Sequence, residues 1–319
     1  MFKYVLKRII GLIPVLFSVS VVVFIITRVL PGNPAEVMLG PQATAEAIKA
    51  LELKLGINDP WLVQYGRFLL DLLQGDLGTS IAYHQPVLNL ILDTLPNTIL
   101  LTVAALFIAI IVAIPIGIIS AVKQYSIFDY ISMTFALIGV SLPVYWLGLM
   151  MVLIFSTKLQ ILPAIGMGSM ANGLWDVISH LILPSIALST IPMANLARIT
   201  RSSMLEVVRQ DYIRTARAKG LSEWIVIGKH SLKNALVPII TVMGMQISMM
   251  LSGAVLTETI FAWPGMGRLI VDAIEKRDFI MVQGSVMFLA LMFVIINLIV
   301  DLLYVWVNPR ISYDNEGGN

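Results

Sequence analysis

The stretch that decides the fold of this chain reads Asp211-Tyr212-Ile213-Arg214-Thr215-Ala216-Arg217-Ala218-Lys219-Gly220. It lies in a polar segment, residues 198–235, between two long apolar stretches, and this segment holds eight of the 21 Lys and Arg residues. Lys and Arg close to a membrane span resist translocation. The segment is therefore predicted to stay in the cytoplasm, and the apolar stretches on either side of it are predicted to cross a membrane.

The composition of the whole chain indicates an integral membrane protein. Of its 319 residues, 58% are hydrophobic and 13% are charged, whereas a soluble domain has about 25% charged residues. The net charge of +2 is too small to indicate nucleic acid as a partner. The chain has no cysteine, which excludes disulfides, thiolate metal sites and cysteine nucleophiles.

Six stretches are long and apolar enough to cross a bilayer, because a spanning helix needs about 20 apolar residues. They are Ile9–Thr27, Thr98–Val122, Ile131–Thr157, Val177–Ala197, Leu236–Thr257 and Gly284–Val307. Pro184 and Pro192 interrupt the fourth stretch and predict a kink there. The predicted fold class is an all-α polytopic membrane protein with six transmembrane helices.

The distribution of Lys and Arg predicts the orientation of the chain. Six spans put 13 of the 21 basic residues on one side, the side of both termini. These 13 are Lys3, Lys7, Arg8, Lys123, the eight of residues 198–235, and Arg310. By the positive-inside rule both termini are cytoplasmic, so the first span keeps its amino end inside.

The predicted domains follow from the spans. Residues 1–28 form the N-terminal cytoplasmic residues and the first span, residues 29–97 a small external helical domain, and residues 98–319 a core with five spans. Within the external domain, Gln42–Leu55 has apolar residues at helical spacing and is followed by Gly56. A further helix is predicted to begin near Pro60.

The segment 198–235 is predicted to contain two helices joined at Gly220, which supplies a left-handed cap. The first helix is predicted to carry its apolar side chains on one face: Leu205, Val208, Tyr212 and Ala216. The second is predicted to begin at Ser222 and to stop near Pro238. Either the segment is a solvated basic loop that only orients the chain, or the two helices fit a groove of a partner subunit and transmit its motion.

The stretch Asp211–Gly220 resembles a known signature. The EAA segment of binding-protein-dependent ABC importer permeases is a basic helix–loop–helix with an Ala and a Gly four residues apart, and Ala216 and Gly220 match it. Arg214 and Thr215 stand where the general signature has an acid and an Ala. The full stretch looks like the version found in the peptide and nickel branch of these permeases.

Other stretches are similar to the B-type permease of the same branch, so the resemblance covers nearly the whole chain. They are Leu30-Pro31-Gly32-Asn33-Pro34, Gln74-Gly75-Asp76-Leu77-Gly78-Thr79-Ser80, Leu95-Pro96-Asn97-Thr98, and Glu258-Thr259-Ile260-Phe261-Ala262-Trp263-Pro264-Gly265-Met266-Gly267. The resemblance implies the type I ABC importer permease fold, in the plasma membrane of a bacterium or an archaeon.

The resemblance also implies a set of partners. The chain would pair with a second, similar permease to form a path for dipeptides or oligopeptides, with nickel, glutathione or another small solute as the alternative cargo. Two ATPase subunits would dock inside, and a substrate-binding protein would deliver the cargo from outside. The chain has no P-loop, so ATP and Mg²⁺ would be held by the ATPase subunits, and no cofactor or enzymatic activity is expected of the chain itself.

Two further groups of residues are candidates for a role in transport. The aromatic and turn residues of one predicted external loop would form a gate or a docking loop, or else an interfacial aromatic anchor beside a turn: Phe261, Trp263, Pro264 and Gly265. Asn297 and Asp301 lie one turn apart in the last span, where an acid either serves the pathway or reaches the interface.

Two rival functions are weaker. Gly139-Val140-Ser141 and His180 would be needed for an intramembrane serine protease, which requires contact between the serine and histidine side chains and an oxyanion hole. A secondary transporter that works alone would need paired ionisable residues at mid-membrane or an inverted repeat. The sequence shows neither such a pair nor such a repeat, and its three histidines form no ligand set.

Overall fold

A computed structural model of the protein describes residues 2–29, 33–40 and 42–307. Within these ranges the regular structure is helical, and the one pairing of extended segments is an isolated bridge between Thr79 and Pro86. The α-helices in chain order are α1 (Phe2–Val29), α2 (Pro34–Leu39), α3 (Ala45–Leu55), α4 (Trp61–Leu73), α5 (Val87–Val122), α6 (Ile127–Ser141), α7 (Val144–Met151), α8 (Leu174–Val208), α9 (Asp211–Ala218), α10 (Glu223–Ile225), α11 (Leu232–Ile260), α12 (Met266–Glu275) and α13 (Phe279–Val307). A π-helical segment, Val152–Lys158, continues α7, and another, Val226–Ser231, joins α10 to α11.

Among the described residues, five helical segments are long and apolar enough to cross a membrane. They are Ile10–Val29, Val87–Val122, Leu174–Val208, Glu223–Leu251 and Phe279–Val300. A sixth crossing is formed if the bent pair Ile127–Ser141 and Val144–Lys158 counts as one span. The prediction of an all-helical polytopic membrane protein is confirmed.

The predicted third span is not one continuous helix. Its two halves meet at 103°, and the break falls at Leu142-Pro143, where Leu142 has the extended backbone angles φ −78° and ψ 131°. Proline cannot donate a backbone hydrogen bond and disfavours the helical conformation of the residue before it. The stretch predicted as a span, Ile131–Thr157, therefore consists of two helices with a sharp bend between them.

The predicted stop near Pro238 is also wrong. Pro238 lies inside α11, which runs on to Ile260, and Pro184 and Pro192 lie inside α8. Membrane helices tolerate proline where neighbouring groups and local helix adjustments satisfy the freed carbonyl groups. The helix that begins at Glu223 is thus continuous with a membrane-spanning helix.

The chain packs as two compact units. The first comprises Met1–Thr98 and Pro264–Ile295, and the second comprises Ile99–Trp263 and Ile296–Asn319. Two of the three boundaries fall inside α5 and α13, and the third falls in the turn between α11 and α12. Each unit has its own buried apolar clusters.

In the first unit, the helices of region 29–97 form as their local sequence predicts. Thr44 caps α3 by accepting a hydrogen bond from the amide of Ala47 at 3.3 Å, and Gly56 ends the helix with φ 62°. Helix α4 packs on α1, where the Tyr65 and Ser20 hydroxyls lie 2.8 Å apart and the Tyr65 ring meets Phe24 edge to face. The short helix α2 was not predicted, although its N-cap Asn33 is a typical start signal.

A buried carboxylate holds the start of α13 in the same unit. Asp278 is fully buried and accepts hydrogen bonds from the Ser80 hydroxyl at 2.5 Å and from the amides of Ala82 and Met281, each at 3.0 Å. Next to it, the Lys276 ammonium lies 4.2 Å from the Tyr83 ring centre and donates to the Tyr83 hydroxyl. This hydrogen bond raises the pKa of Lys276 above its ordinary value, so the side chain stays charged.

The second unit is built around α8, which packs against α6 and α11. Small residues let the backbones approach closely, as in many membrane helix pairs. A Cβ atom on Gly117 of α5 would lie 2.6 Å from Cβ of Thr200 and 2.7 Å from the carbonyl oxygen of Ala197. A Cβ atom on Gly139 of α6 would lie 3.3 Å from the methyl carbon of Thr190 on α8.

Candidate coupling site and transport residues

Helix α9 forms where the ten-residue stretch predicts it. It begins at Asp211, after Gln210 in extended conformation, and ends at Ala218. Ile213 and Ala216 are buried and pack with Val226 and Val207. One apolar side of α9 thus faces its own unit, and the other side is open.

The predicted apolar face Leu205–Val208–Tyr212–Ala216 is wrong. Helix α8 ends at Val208 and the chain turns at Gln210, whose φ of −72° and ψ of 149° leave the helical region. The turn resets the helical phase, so Ile213 is buried and Tyr212 is 45% exposed. The Tyr212 hydroxyl accepts a hydrogen bond from the Asn234 side chain at 3.0 Å.

Gly220 has the left-handed conformation that the sequence predicts. Its φ is +78°, and its amide donates to the carbonyl of Arg217 at 2.9 Å. A Cβ atom at this position would meet nothing within 4 Å. Glycine is therefore required by the backbone and not by lack of space.

The basic side chains of α9 are exposed and only partly paired. Arg217 donates two hydrogen bonds to Glu223, at 2.8 and 3.3 Å, which ties α9 to the start of α10. Arg214 lies 3.8 Å from Asp211, with both side chains highly exposed. Exposed pairs of this kind contribute at most about 1 kcal/mol each. Thr215 bonds within the helix, to the carbonyl of Asp211.

An open apolar surface follows Gly220. Trp224 is 84% exposed and, with Ile225, Gly228 and Lys229, lines an open depression of about 450 Å³. We call Tyr212 together with these four residues the α9–α10 surface. A large exposed indole among basic residues is typical of a protein–protein contact, because tryptophan is enriched at the energetic centre of interfaces.

The aromatic residues of the predicted external loop are buried. Phe261 is 1% exposed and Trp263 is 0% exposed. The Phe261 carbonyl accepts from the amide of Gly166 at 2.8 Å, and the Trp263 ring packs among Leu101, Ala105, Leu188, Met250 and Ala254. An aromatic anchor at the lipid headgroups, or a docking contact through these rings, does not fit this burial. A role in gating stays a prediction.

Pro264 and Gly265 belong to the first unit. The Pro264 carbonyl accepts a hydrogen bond from the Asn97 side chain at 2.8 Å. Gly265 precedes α12, and the amide of Met266 donates to the Thr98 hydroxyl at 2.8 Å. The turn is thus fixed by Asn97 and Thr98, the last two residues of the stretch Leu95-Pro96-Asn97-Thr98.

Asn297 takes part in helix packing. Its side-chain oxygen accepts a hydrogen bond from the Ser248 hydroxyl at 3.1 Å. One turn away, a Cβ atom on Gly244 would overlap a methyl group of Val300. The contact between α11 and α13 is close at this level. The backbone of Asp301 lies in α13, but its side chain falls outside the described residues, so its predicted pathway role stays a prediction.

Among the described residues, sequence reasoning missed the burial of three acids: Asp278, described above, Glu258 and Asp129. Glu258 in α11 is fully buried. Asp129 at the start of α6 is 2% exposed and pairs with Arg201 of α8. The one signal for Asp129 in the sequence is that it follows Ser126, in a short polar turn between two apolar stretches. The identity of its partner, 72 residues away, has no local signal.

The residues needed for a serine protease are used locally. The Ser141 hydroxyl donates to the carbonyl of Leu137, four residues earlier in the same helix. The His180 ring contacts the carbonyl of Asp176, also four residues earlier. Within the described part of the chain, no group of three or more His, Cys, Asp or Glu side chains could hold a metal ion.

The long apolar helices and the exposed α9–α10 surface define a polytopic membrane protein with a candidate docking surface. Residues 113–313 match the family described as binding-protein-dependent transport system inner membrane component, and residues 1–102 match the N-terminal model of such membrane components. The chain belongs to this family of ABC importer permeases.

Individual relatives cover almost the whole chain. The dipeptide transport system permease protein DppB of Alkalihalophilus pseudofirmus is 50% identical, over 98% of this chain and 100% of its own length. The glutathione transport system permease protein GsiC of Escherichia coli K12 is 42% identical over the same shares.

A solved structure gives the same fold. An inward-facing conformation of the MetNI methionine ABC transporter matches with a TM-score of 0.56 and 18% identity, over 69% of this chain and 96% of that one. The predicted type I ABC importer permease fold is confirmed.

Proposed function

We propose that this chain is one of two similar permease subunits that together enclose a translocation path for dipeptides or oligopeptides. The observation that carries the proposal is the 50% identity, over nearly its full length, to a protein named as a dipeptide permease. The second permease would complete the path. Each chain would contribute its own α8, α11 and α13.

ATP hydrolysis is proposed to take place on two separate ATPase subunits, which bind ATP and Mg²⁺. They would dock at segment 198–235 through the α9–α10 surface. This docking is supported by Trp224, which is 84% exposed and lies beside the exposed basic residues of α9. In water such an indole would gain free energy by burial in a groove, at about 25 cal/mol per Å² of apolar area.

The transport step is proposed to be a population shift. Closure of the ATPase dimer would bind one arrangement of the permease better than the other, and this difference in affinity would convert an inward-open path into an outward-open one. A binding protein outside the inner membrane would deliver the cargo. Both termini and segment 198–235 would lie in the cytoplasm, as the 13 basic residues on that side favour.

Glutathione is the second candidate cargo, because a relative named as a glutathione permease is 42% identical. Nickel or another small solute stays a weaker alternative, since in the described residues no metal-binding cluster marks a path for a cation. All three cargoes would use the same architecture.

Reconstitution in liposomes tests these proposals. The chain, its second permease, the ATPases and the binding protein should together accumulate a labelled dipeptide only when ATP is present on the ATPase side. ATP-dependent accumulation of labelled glutathione, without accumulation of labelled dipeptide, would replace the peptide proposal by the glutathione one. Accumulation by the chain alone, without ATPases, would contradict the whole proposal and establish a secondary transporter.

A further inference from the structure

We infer that Asp129 and Arg201 are positioning residues that couple the α5–α6 corner to the end of α8. Through this contact the corner and the end of α8 both follow the movement of α9. The inference rests on the proposed function, in which the ATPases act on α9. We call Ser120, Asp129 and Arg201 the latch. The spacing of these three residues along the chain does not predict that they meet.

The geometry of the latch is that of a strong and specific contact. Arg201 donates from Nε to Asp129 Oδ1 at 2.6 Å and from Nη2 to Oδ2 at 2.7 Å. Such two-pronged pairs fix orientation as well as distance. The Ser120 hydroxyl also donates to Oδ1, and the amide of Tyr125 donates to Oδ2 at 3.0 Å. Asp129 therefore receives hydrogen bonds from α5, from the α5–α6 turn and from α8.

The burial of the latch makes it costly to break. The Asp129 side chain is 3% exposed and that of Arg201 is 24% exposed. Removing one partner of a buried ion pair leaves the other charge without compensation in a poorly solvated site. The pair therefore stays closed through a conformational change, unless the surrounding helices separate.

Two further contacts hold the same helices on either side of the latch. Toward the middle of α8, the backbone of Gly117 touches Ala197 and Thr200 so closely that no side chain fits between them. Beyond the latch, Arg209 donates to the Gln124 side chain at 3.1 Å. The last part of α8 is thus attached to the α5–α6 corner over three successive levels.

The connection to α9 runs through Val207. This residue packs both against the cluster of Ile213, Ala216 and Val226 and against the larger core that contains Met204 and Leu196. A displacement of α9 would therefore reach α8 through packed side chains, less than two turns from Arg201. The latch would pass it on to α6, which leads to the bend at Leu142-Pro143.

The first test compares transport with ATP hydrolysis in the complete reconstituted complex. Asp129→Asn removes the charge, Arg201→Lys keeps the charge but cannot form the two-pronged contact, and Asp129→Arg with Arg201→Asp restores an ion pair in reverse. We expect Asp129→Asn to lower dipeptide uptake per ATP hydrolysed about tenfold, Arg201→Lys to lower it less, and the reversed pair to recover part of it. Asp59→Asn, which breaks the exposed pair with Arg67, is the matched control and should leave the ratio unchanged.

The second test measures the coupled movement itself. The chain has no cysteine, so spin labels at Ile127→Cys and Ser202→Cys report the distance between the exposed faces of α6 and α8. This distance should be the same with and without ATP in the wild-type complex and should change with ATP in Asp129→Asn. If Asp129→Asn does not assemble, Arg201→Lys carries both tests.

The outcomes separate the latch from the proposed function. An unchanged ratio and an unchanged distance in the latch variants would overturn the inference, as would a loss of uptake in strict proportion to the amount of assembled complex. Absence of ATP-dependent uptake by the wild-type complex would instead overturn the proposed function. The distance measurement would then still test the latch, because it depends on movement and not on the cargo.

Discussion

Gly220 is the residue where backbone geometry and the proposed coupling meet most directly. Its φ of +78° lies in the left-handed region, and no neighbour limits the size of a side chain there. The requirement for glycine is therefore purely conformational. A residue with a Cβ atom costs about 1–2 kcal/mol in this region, and a β-branched one is the least suited to it.

We predict that Gly220→Val lowers uptake per ATP hydrolysed, because the turn between α9 and α10 relaxes to another conformation and α9 no longer keeps its orientation. Gly220→Asn should be milder, since asparagine tolerates the left-handed region. The control is Gly66→Ala, a helical position outside the α9–α10 surface where a Cβ atom also meets nothing within 4 Å. Normal transport by an assembled Gly220→Val complex would show that the turn has no mechanical role.

A second prediction at the residue scale concerns Asp278. Asp278→Ala would leave the Ser80 hydroxyl and the amides of Ala82 and Met281 without their buried acceptor. We expect the free energy of unfolding to fall by about 3 kcal/mol, since it combines a lost N-cap with unsatisfied buried donors. Thermal unfolding of the purified chain in detergent measures the effect. Glu275→Ala, an exposed position three residues earlier, should change the melting temperature little; an equal loss there would contradict the assignment.

At the scale of helices, sequence patterns located most elements because their signals are local. The apolar period of α3, the glycine after it and the turn before α4 each depend on a few adjacent residues, and the structure has them where predicted. Proline did not behave uniformly. Pro143 breaks a span, whereas Pro238 continues one. The difference depends on whether neighbouring groups can satisfy the freed carbonyls, which no local pattern contains.

In the candidate sites, too, the features that depend on adjacent residues were predictable and the contacts between distant residues were not. The helix at Asp211–Ala218 and the left-handed Gly220 were predictable, because both depend on adjacent residues. The burial of Phe261 and Trp263 and the pairing of Asp129 with Arg201 depend on which helices meet. Contacts between residues 72 positions apart cannot be inferred from spacing in a single sequence.

The contact of α5 with α8 gives a prediction at this scale. Gly117→Ala should force the helices apart, because its Cβ atom would lie 2.6 Å from Thr200 and 2.7 Å from the Ala197 carbonyl. Overpacking of this kind costs about 1–3 kcal/mol, so the melting temperature of the purified chain should fall. Thr200→Ala should restore only a small part of the loss, since it removes the methyl contact at 2.8 Å but leaves the contacts with the Cβ atom of residue 200 and with the Ala197 carbonyl. Gly66→Ala on α4, with open space around it, should be neutral or stabilising; a similar loss there would contradict the packing argument.

For the whole molecule, the number of crossings decides which loops share a side of the membrane. The bent pair α6 and α7 either crosses the membrane as one span or enters and returns on the same side. Crossing puts Lys123 and the eight basic residues of segment 198–235 on the side of the N-terminus. A returning hairpin would move segment 198–235 to the opposite side and oppose the preference of Lys and Arg for the cytoplasm.

Single-cysteine labelling of intact cells tests this, because the chain has no cysteine of its own. We predict that a membrane-impermeant maleimide reacts from outside with Glu46→Cys and Asn172→Cys, and only after permeabilisation with Tyr125→Cys and Ser222→Cys. All four positions are exposed in the structure, so access depends on the membrane and not on burial. If Asn172→Cys is protected like Tyr125→Cys while Ser222→Cys reacts from outside, the pair is a returning hairpin. The ATPases would then have no access to the α9–α10 surface. That result would contradict both the six-span topology and the proposed coupling through α9.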